Sequence, residues 1–335
     1  MFPSRARIQL LAKVTLSAVA LYLLFLYSDV DLVVESLKSA HWGWVASAVS
    51  LGCAIVLVNG FRWGRISAFV SLPLPRWFSI LTYAEALFFA MITPAAIGGD
   101  ILRITRATKA FGKLRKNMAS VLLDRAVNLV SMVVLGALAL PFTAIEEPAI
   151  KASVLFMLVL ILCMTALPYF ALATLRKGRV RRWTLVREGL RLAILFRRFL
   201  GNGRGFFEIA CLSAVVLLLA MGIMLSAARA VGASDLGLVE AATAFSLALL
   251  VAAVPISFAG LGPREGVMIW TLTQLGIDAG QAYSIAILFT AALLASALPG
   301  LLIWLSGITR VDRKPAAAET ARRPDPTPPG RDSGS

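Results

Sequence analysis

The chain has a single histidine, His41, and three cysteines, Cys53, Cys163 and Cys211. All three cysteines lie inside apolar runs, where they read as small buried residues without disulfide or metal spacing. Zinc and di-iron centres need clustered ligands that this inventory does not supply, so no metal and no cofactor are expected. There is no phosphate-binding GxxxxGK[ST] loop, no GxSxG and no HExxH, and no catalytic residue is assigned. Negative charge is also scarce, with 18 acidic residues against 33 basic ones and a net charge of +15. Retained loops of a membrane protein are rich in Lys and Arg, and this explains the excess without a nucleic-acid partner.

Apolar sequence is abundant. The hydrophobic share is 59% and the mean hydropathy is +0.82, against an apolar share of roughly 45–50% in soluble domains. The expected class is an all-α polytopic membrane protein. Six segments are long enough to cross a bilayer at about 20 residues each: 8–27, 42–60, 118–141, 151–173, 206–228 and 282–306. The first follows Arg5 and Arg7 and lacks a small-residue cleavage site, so it reads as an uncleaved span rather than a signal peptide. Residues 1–310 form one transmembrane domain on this reading. The Pro-rich, polar tail 311–335 is expected to be disordered.

Two further apolar stretches, 77–97 and 239–275, are broken. Pro94 is followed by Gly98, Gly99 and Arg103 in TPAAIGGDILR, and Pro255 by Gly260, Gly262 and Arg264 in PISFAGLGPREG. Gly99 and Gly260 both lie five residues after their proline, and the two arginines nine. Broken backbone at membrane depth survives only where protein covers it or a polar cavity accepts it. Paired breaks in the two halves of a chain point to a transporter's binding site.

Charge sets the expected topology. Placing both termini in the cytoplasm puts 27 of the 33 Lys and Arg inside. It also makes 77–97 a re-entrant hairpin from the cytoplasm and 239–275 one from the opposite side, a probable inverted repeat. The segment 174–205 interleaves ten basic residues with Trp and Leu and reads as a basic amphipathic helix on the inner leaflet.

Charges inside apolar segments cost roughly 2.5–3.5 kcal/mol each and so mark candidate sites. Arg103 and Arg264 follow the two breaks, where a restarting helix offers N–H groups and a guanidinium offers a fork to phosphate. Alternatively, Arg103 pairs with Asp100, and Arg264 with Glu265 or Asp124, for architecture alone. Asp124, Arg125 and Asn128 share one side of a span and either face the cavity or pin the hairpins. Glu85, Asp100, Asp124 and Glu265 are candidate counter-ions or proton carriers; for Glu85 a partner arginine is an equal alternative. Asn59 is placed to satisfy broken backbone, while Arg62 and Arg65 close the second span as topogenic charges.

These residues resemble the transmembrane, flippase-like region of lysylphosphatidylglycerol synthases. The resemblance is carried by NGFRW with Asn59 and Arg62, TPAAIGGDILR, the Asp124–Arg125 pair in LLDRAVNL, and PISFAGLGPREG, and it spans about residues 8–308. It implies a protein of the bacterial inner membrane that moves an anionic or phosphate-bearing lipid between leaflets. In bifunctional members a soluble synthase domain follows this region. Here a short tail follows instead, so the expectation is a translocase and not an enzyme. Polyprenyl-phosphate-linked lipids are candidate substrates beside phospholipids. Two other readings stay open: a secondary transporter of a small anion, and a non-transporting subunit that docks a cytoplasmic lipid or glycosyl transferase.

Overall fold

The computed structural model describes residues 40–93, 96–143, 194–253 and 262–309, and four isolated positions besides. Its helices are α1 (Trp42–Phe69), α2 (Arg76–Met91), α3 (Ile97–Phe111), α4 (Leu114–Ala139), α5 (Gly203–Ala230), α6 (Leu238–Ala253), α7 (Pro263–Gln274) and α8 (Ala279–Ser306). Residues 194–201 are also helical, and there is no strand among the described residues. The expected spans 8–27 and 151–173 lie outside the described residues, save three positions of the latter. So do Pro94, Pro255, Gly260, residues 174–193 and the tail from 310.

Four helices, α1, α4, α5 and α8, are long and apolar enough to cross a membrane. Each has 26 or 28 residues, about 40 Å at 1.5 Å per residue against a hydrocarbon core of about 30 Å. α8 is apolar all round: one side packs inward through Phe289, Ala292 and Ser296, while Leu294, Leu298, Leu302 and Leu305 stay exposed. A helix that is apolar on every face belongs in lipid. The chain is an all-α polytopic membrane protein.

The remaining four are short. α2 and α3 have 16 and 15 residues, α6 and α7 have 16 and 12, so none exceeds about 24 Å. α2 packs on α3, and α6 on α7. The open end of the α2–α3 pair lies where α1 ends and α4 begins, tied there by Lys116 Nζ donating to the Ser71 carbonyl at 3.2 Å. The open end of the α6–α7 pair lies at the other end of the bundle. There α1 begins, with the His41 N–H on the Ala230 carbonyl at 2.9 Å, and α8 begins, with Gln281 Nε2 reaching the Val231 carbonyl. The two short helix pairs therefore open toward opposite ends, and the α2–α3 turn faces the end of α6 and the start of α7 near the middle.

Small residues let these helices approach. A Cβ on Gly60 would lie 2.6 Å from the Ile80 Cα of α2, and one on Gly300 would overlap the Ala84 carbonyl. Such backbone proximity replaces the hydrophobic drive that is absent between helices in lipid.

Two features depart from the sequence reading. α1 runs to Phe69 rather than residue 60, because FRWGRISAF continues the same inward-facing stripe, with Trp63 and Ile66 fully buried. The last turns of the basic amphipathic segment also spend their apolar face on protein. Phe199 is buried and stacks edge-on against Phe69 and Phe206, each at 5.6 Å.

Candidate functional site

A cavity of about 460 Å³ lies between the α2–α3 turn and the facing ends of α6 and α7. Its walls come from α2 (Tyr83, Ala86, Leu87, Ala90), the start of α3 (Ala96, Gly99, Asp100, Arg103), α4 (Asp124 to Met132), the tip of α6 (Leu249, Ala252), Arg62 of α1 and Arg264 of α7. Four arginines face two aspartates across it.

Asp124 is the fulcrum. One carboxylate oxygen accepts from Arg62 Nε at 3.2 Å and the other from Arg103 Nη1 at 2.8 Å. Arg62 also donates to Ser213 Oγ of α5 at 3.1 Å. All three charged groups are buried. A single anion thus ties α1, α3 and α4 together, and Arg62 carries the link to α5. Arg103 lies 5.4 Å from the Trp63 ring and 5.2 Å from the Tyr83 ring, so its guanidinium is held between two π faces.

Asp100, in the first turn of α3, bridges differently. It accepts from Arg103 Nη2 at 2.7 Å through one oxygen and from Arg125 Nε through the other. Arg125 also reaches the Ala96 carbonyl at 3.3 Å, and 46% of its side chain is exposed. Ala96 itself holds a φ of 53°, a conformation that costs an alanine about 1 kcal/mol.

On the opposite wall, Arg264 is the second residue of α7. It donates to Glu265 Oε1 from Nε at 3.0 Å and to Thr290 Oγ1 of α8 at 2.9 Å, and it lies 5.8 Å from the Phe289 ring. Glu265 Oε2 accepts the Gly262 N–H at 2.7 Å, which satisfies one of the orphan donors of the α7 start. Gly262 has a φ of 91°, which a side chain would strain. The carboxylate therefore caps its helix and neutralises Arg264 at once.

Of the residues singled out from sequence, Arg103, Arg125, Arg264, Asp100, Asp124, Gly99 and Asn128 meet at this cavity. Gly98 lies beside it, its N–H on Thr93 Oγ1 at 3.0 Å. Gly99 packs so close to α2 that a Cβ would overlap the Ala86 carbonyl. Glu85 is elsewhere: it is fully buried, accepts from Arg106 Nε at 3.2 Å and from Thr309 Oγ1, and joins the first hairpin to the end of α8. Asn59 is buried on α1, and its Oδ1 has no hydrogen-bond partner among the described residues. The matched proline offsets do not give matched arginines. Arg103 is the seventh residue of α3, two turns in, whereas Arg264 opens α7.

Sequence reasoning missed Arg62 and Tyr83. Arg62 reads as topogenic only if the span stops at residue 60; extended to Phe69, the same helix carries it into the core. The available signal was Asp124, an intramembrane carboxylate that needs a cation. Among the described residues no group of His, Cys, Asp and Glu is arranged to hold a metal ion.

A family model described as the lysylphosphatidylglycerol synthase TM region matches residues 10–300 of the chain. The chain belongs to this family. No curated protein matches it. The family match takes in every residue that lines the cavity, from Arg62 to Arg264, so the charged centre belongs to the lysylphosphatidylglycerol synthase TM region proper. The match is to the TM region alone, and what it establishes is a multi-pass membrane protein of that type.

Proposed function

We propose that this member of the family is a translocase that moves an anionic or phosphate-bearing lipid between leaflets, with the headgroup carried through the central cavity. The observation that carries this reading is the convergence of Arg62, Arg103, Arg125 and Arg264 on one cavity, against the three carboxylates of Asp100, Asp124 and Glu265. A guanidinium cluster in a low-dielectric wall attracts an oxyanion and offers it bidentate hydrogen bonds. The short helices are re-entrant, and the end of the bundle bearing Arg65, Arg76, Lys113 and Lys116 faces the cytoplasm of the inner membrane, as the positive-inside rule asks. The first-turn N–H groups of α3 and α7 add to the attraction.

A lipid is favoured over a free anion by the surroundings of Arg125. On α4 it shares a stripe with Met118 and Leu122, each 44% exposed. A headgroup at Arg125 would leave its acyl chains along that apolar stripe. The volume of about 460 Å³ suits a headgroup and not a whole lipid.

The test is lipid movement in proteoliposomes. Labelled phosphatidylglycerol, its aminoacylated form and a polyprenyl phosphate are each followed by leaflet accessibility, with Arg125→Ala and Arg264→Ala alongside. Movement of one lipid that depends on both arginines is the expected result. Undiminished movement in correctly inserted variants would sink the assignment. Uptake of inorganic phosphate without lipid movement would make the protein a solute carrier.

A further inference from the structure

The two aspartates of the cavity are not equivalent. Asp124 has both oxygens committed to buried arginines, and its side chain is 4% exposed. Asp100 is 19% exposed, and one of its two partners, Arg125, is 46% exposed. Removing the Asp100 carboxylate would leave Arg103 still bound to Asp124 and still held between Trp63 and Tyr83. It would leave Arg125 facing the open part of the cavity. Among buried donors only Arg103 Nη2 would lose its partner, and Arg103 lines the same cavity, so Asp100 is the anion the site can exchange.

Its position is also the one an anion would choose. Asp100 lies in the first turn of α3, where the helix dipole favours negative charge. Its two oxygens are spread across two guanidiniums, the geometry that a phosphate oxyanion reproduces.

We infer that Asp100 is a built-in stand-in for the substrate's anionic group, holding Arg125 and one edge of Arg103 until an incoming phosphate oxyanion displaces it. This rests on the reading of the cavity as an anion carrier. The displaced carboxylate turns toward the exposed side and competes for the same arginines throughout. Asp100 therefore sets a weak affinity, which lets the headgroup leave on the far side. A carrier that held its anion more tightly would bind better and turn over more slowly.

The experiment is equilibrium binding to the purified full-length protein in phosphatidylcholine nanodiscs. The probes are glycerol 3-phosphate and a short-chain phosphatidylglycerol, which separate a free phosphate from a lipid headgroup. Asp100→Asn should bind one or both about tenfold more tightly than the wild type, because a like charge at contact distance is removed. Arg125→Gln should bind about tenfold more weakly, and adding Asp100→Asn to it should recover little. A purely structural role for Asp100 would lower stability without tightening binding, so direction separates the two. Asp100→Ser serves the same test if the asparagine variant does not purify as a single species. Wild-type binding with no gain in either folded variant would overturn the inference alone. Binding of neither probe by any of the proteins would overturn the anion-carrier reading and the inference with it.

Discussion

Replacing Asp124 with asparagine removes the carboxylate that Arg62 and Arg103 share, while changing almost nothing in volume. Both guanidiniums are buried, at 1% and 5% exposure. Arg103 keeps one bond to Asp100, and Arg62 keeps only Ser213. Breaking a buried pair from one side costs about 3–5 kcal/mol, because an uncompensated charge stays behind. For a chain of this size that is a fall in melting temperature of about 4–7 °C. Asp100→Asn makes the identical chemical change a few ångströms away. Its Arg125 partner is half-exposed and Arg103 keeps Asp124, so the loss is about 0–1 kcal/mol and the shift under about 1.5 °C. The assay is thermal unfolding of the two variants in detergent, followed by tryptophan fluorescence and by recovery of monodisperse protein. Equal shifts for the two variants would refute the assignment of Asp124 as the structural carboxylate and Asp100 as the exchangeable one. The double variant Asp124→Asn/Arg62→Met should regain part of the loss, since it removes one of the stranded charges.

Further outcomes follow from the same geometry. Arg264→Ala should abolish transport with insertion intact, and Arg264→Lys should retain only a fraction, since one ammonium cannot bond Glu265 and Thr290 as the fork does; vesicle transport and membrane yield read both. Gly99→Ala forces a methyl onto the Ala86 carbonyl and should destabilise the first hairpin by about 1–3 kcal/mol, seen as a lower melting temperature. Glu85→Gln should destabilise while leaving anion affinity unchanged, because Glu85 holds Arg106 and Thr309 outside the cavity; a changed affinity would mean that the two clusters are coupled. In a protein whose native cysteines are replaced by serine, Ser71→Cys and Ser234→Cys should label from opposite faces of the membrane. Labelling from one face would contradict hairpins that open toward opposite ends.

Much of the architecture was legible because bilayers reward simple features. The four long helices follow from apolar length alone, and the broken stretches showed themselves through clustered Pro and Gly, whose freed backbone groups need protein or a polar cavity. The asymmetry of Lys and Arg predicted hairpins entering from opposite sides, and α2–α3 and α6–α7 do open toward opposite ends of the bundle. Other features resisted reading. Arg62 lies two residues past the expected end of its span, and only packing against α4 and α5 shows that the helix continues. Glu85 read equally as a proton carrier or the partner of an arginine; Arg106 is that arginine, and the second partner, Thr309, 224 residues away, was not legible. The paired Pro, Gly and Arg spacing pointed to both cavity arginines, but it implied an equivalence that the helix starts do not share.

Segment by segment, the residues dictate that this chain belongs in a membrane, that two of its apolar stretches are broken, and that charges too costly to leave in lipid must find one another inside the protein. Those conclusions depend on length, polarity and the cost of burial, which are properties of each segment alone. Only the tertiary structure decided the partners. Asp124 has two arginines on two different helices, Asp100 shares one of them and takes a third at the exposed edge, and Glu265 turns back to cap its own helix. Rotation of a helix by one residue swings a side chain by about 100°. Which cation meets which carboxylate therefore depends on helix phase and crossing, which close glycine contacts set and no local pattern records.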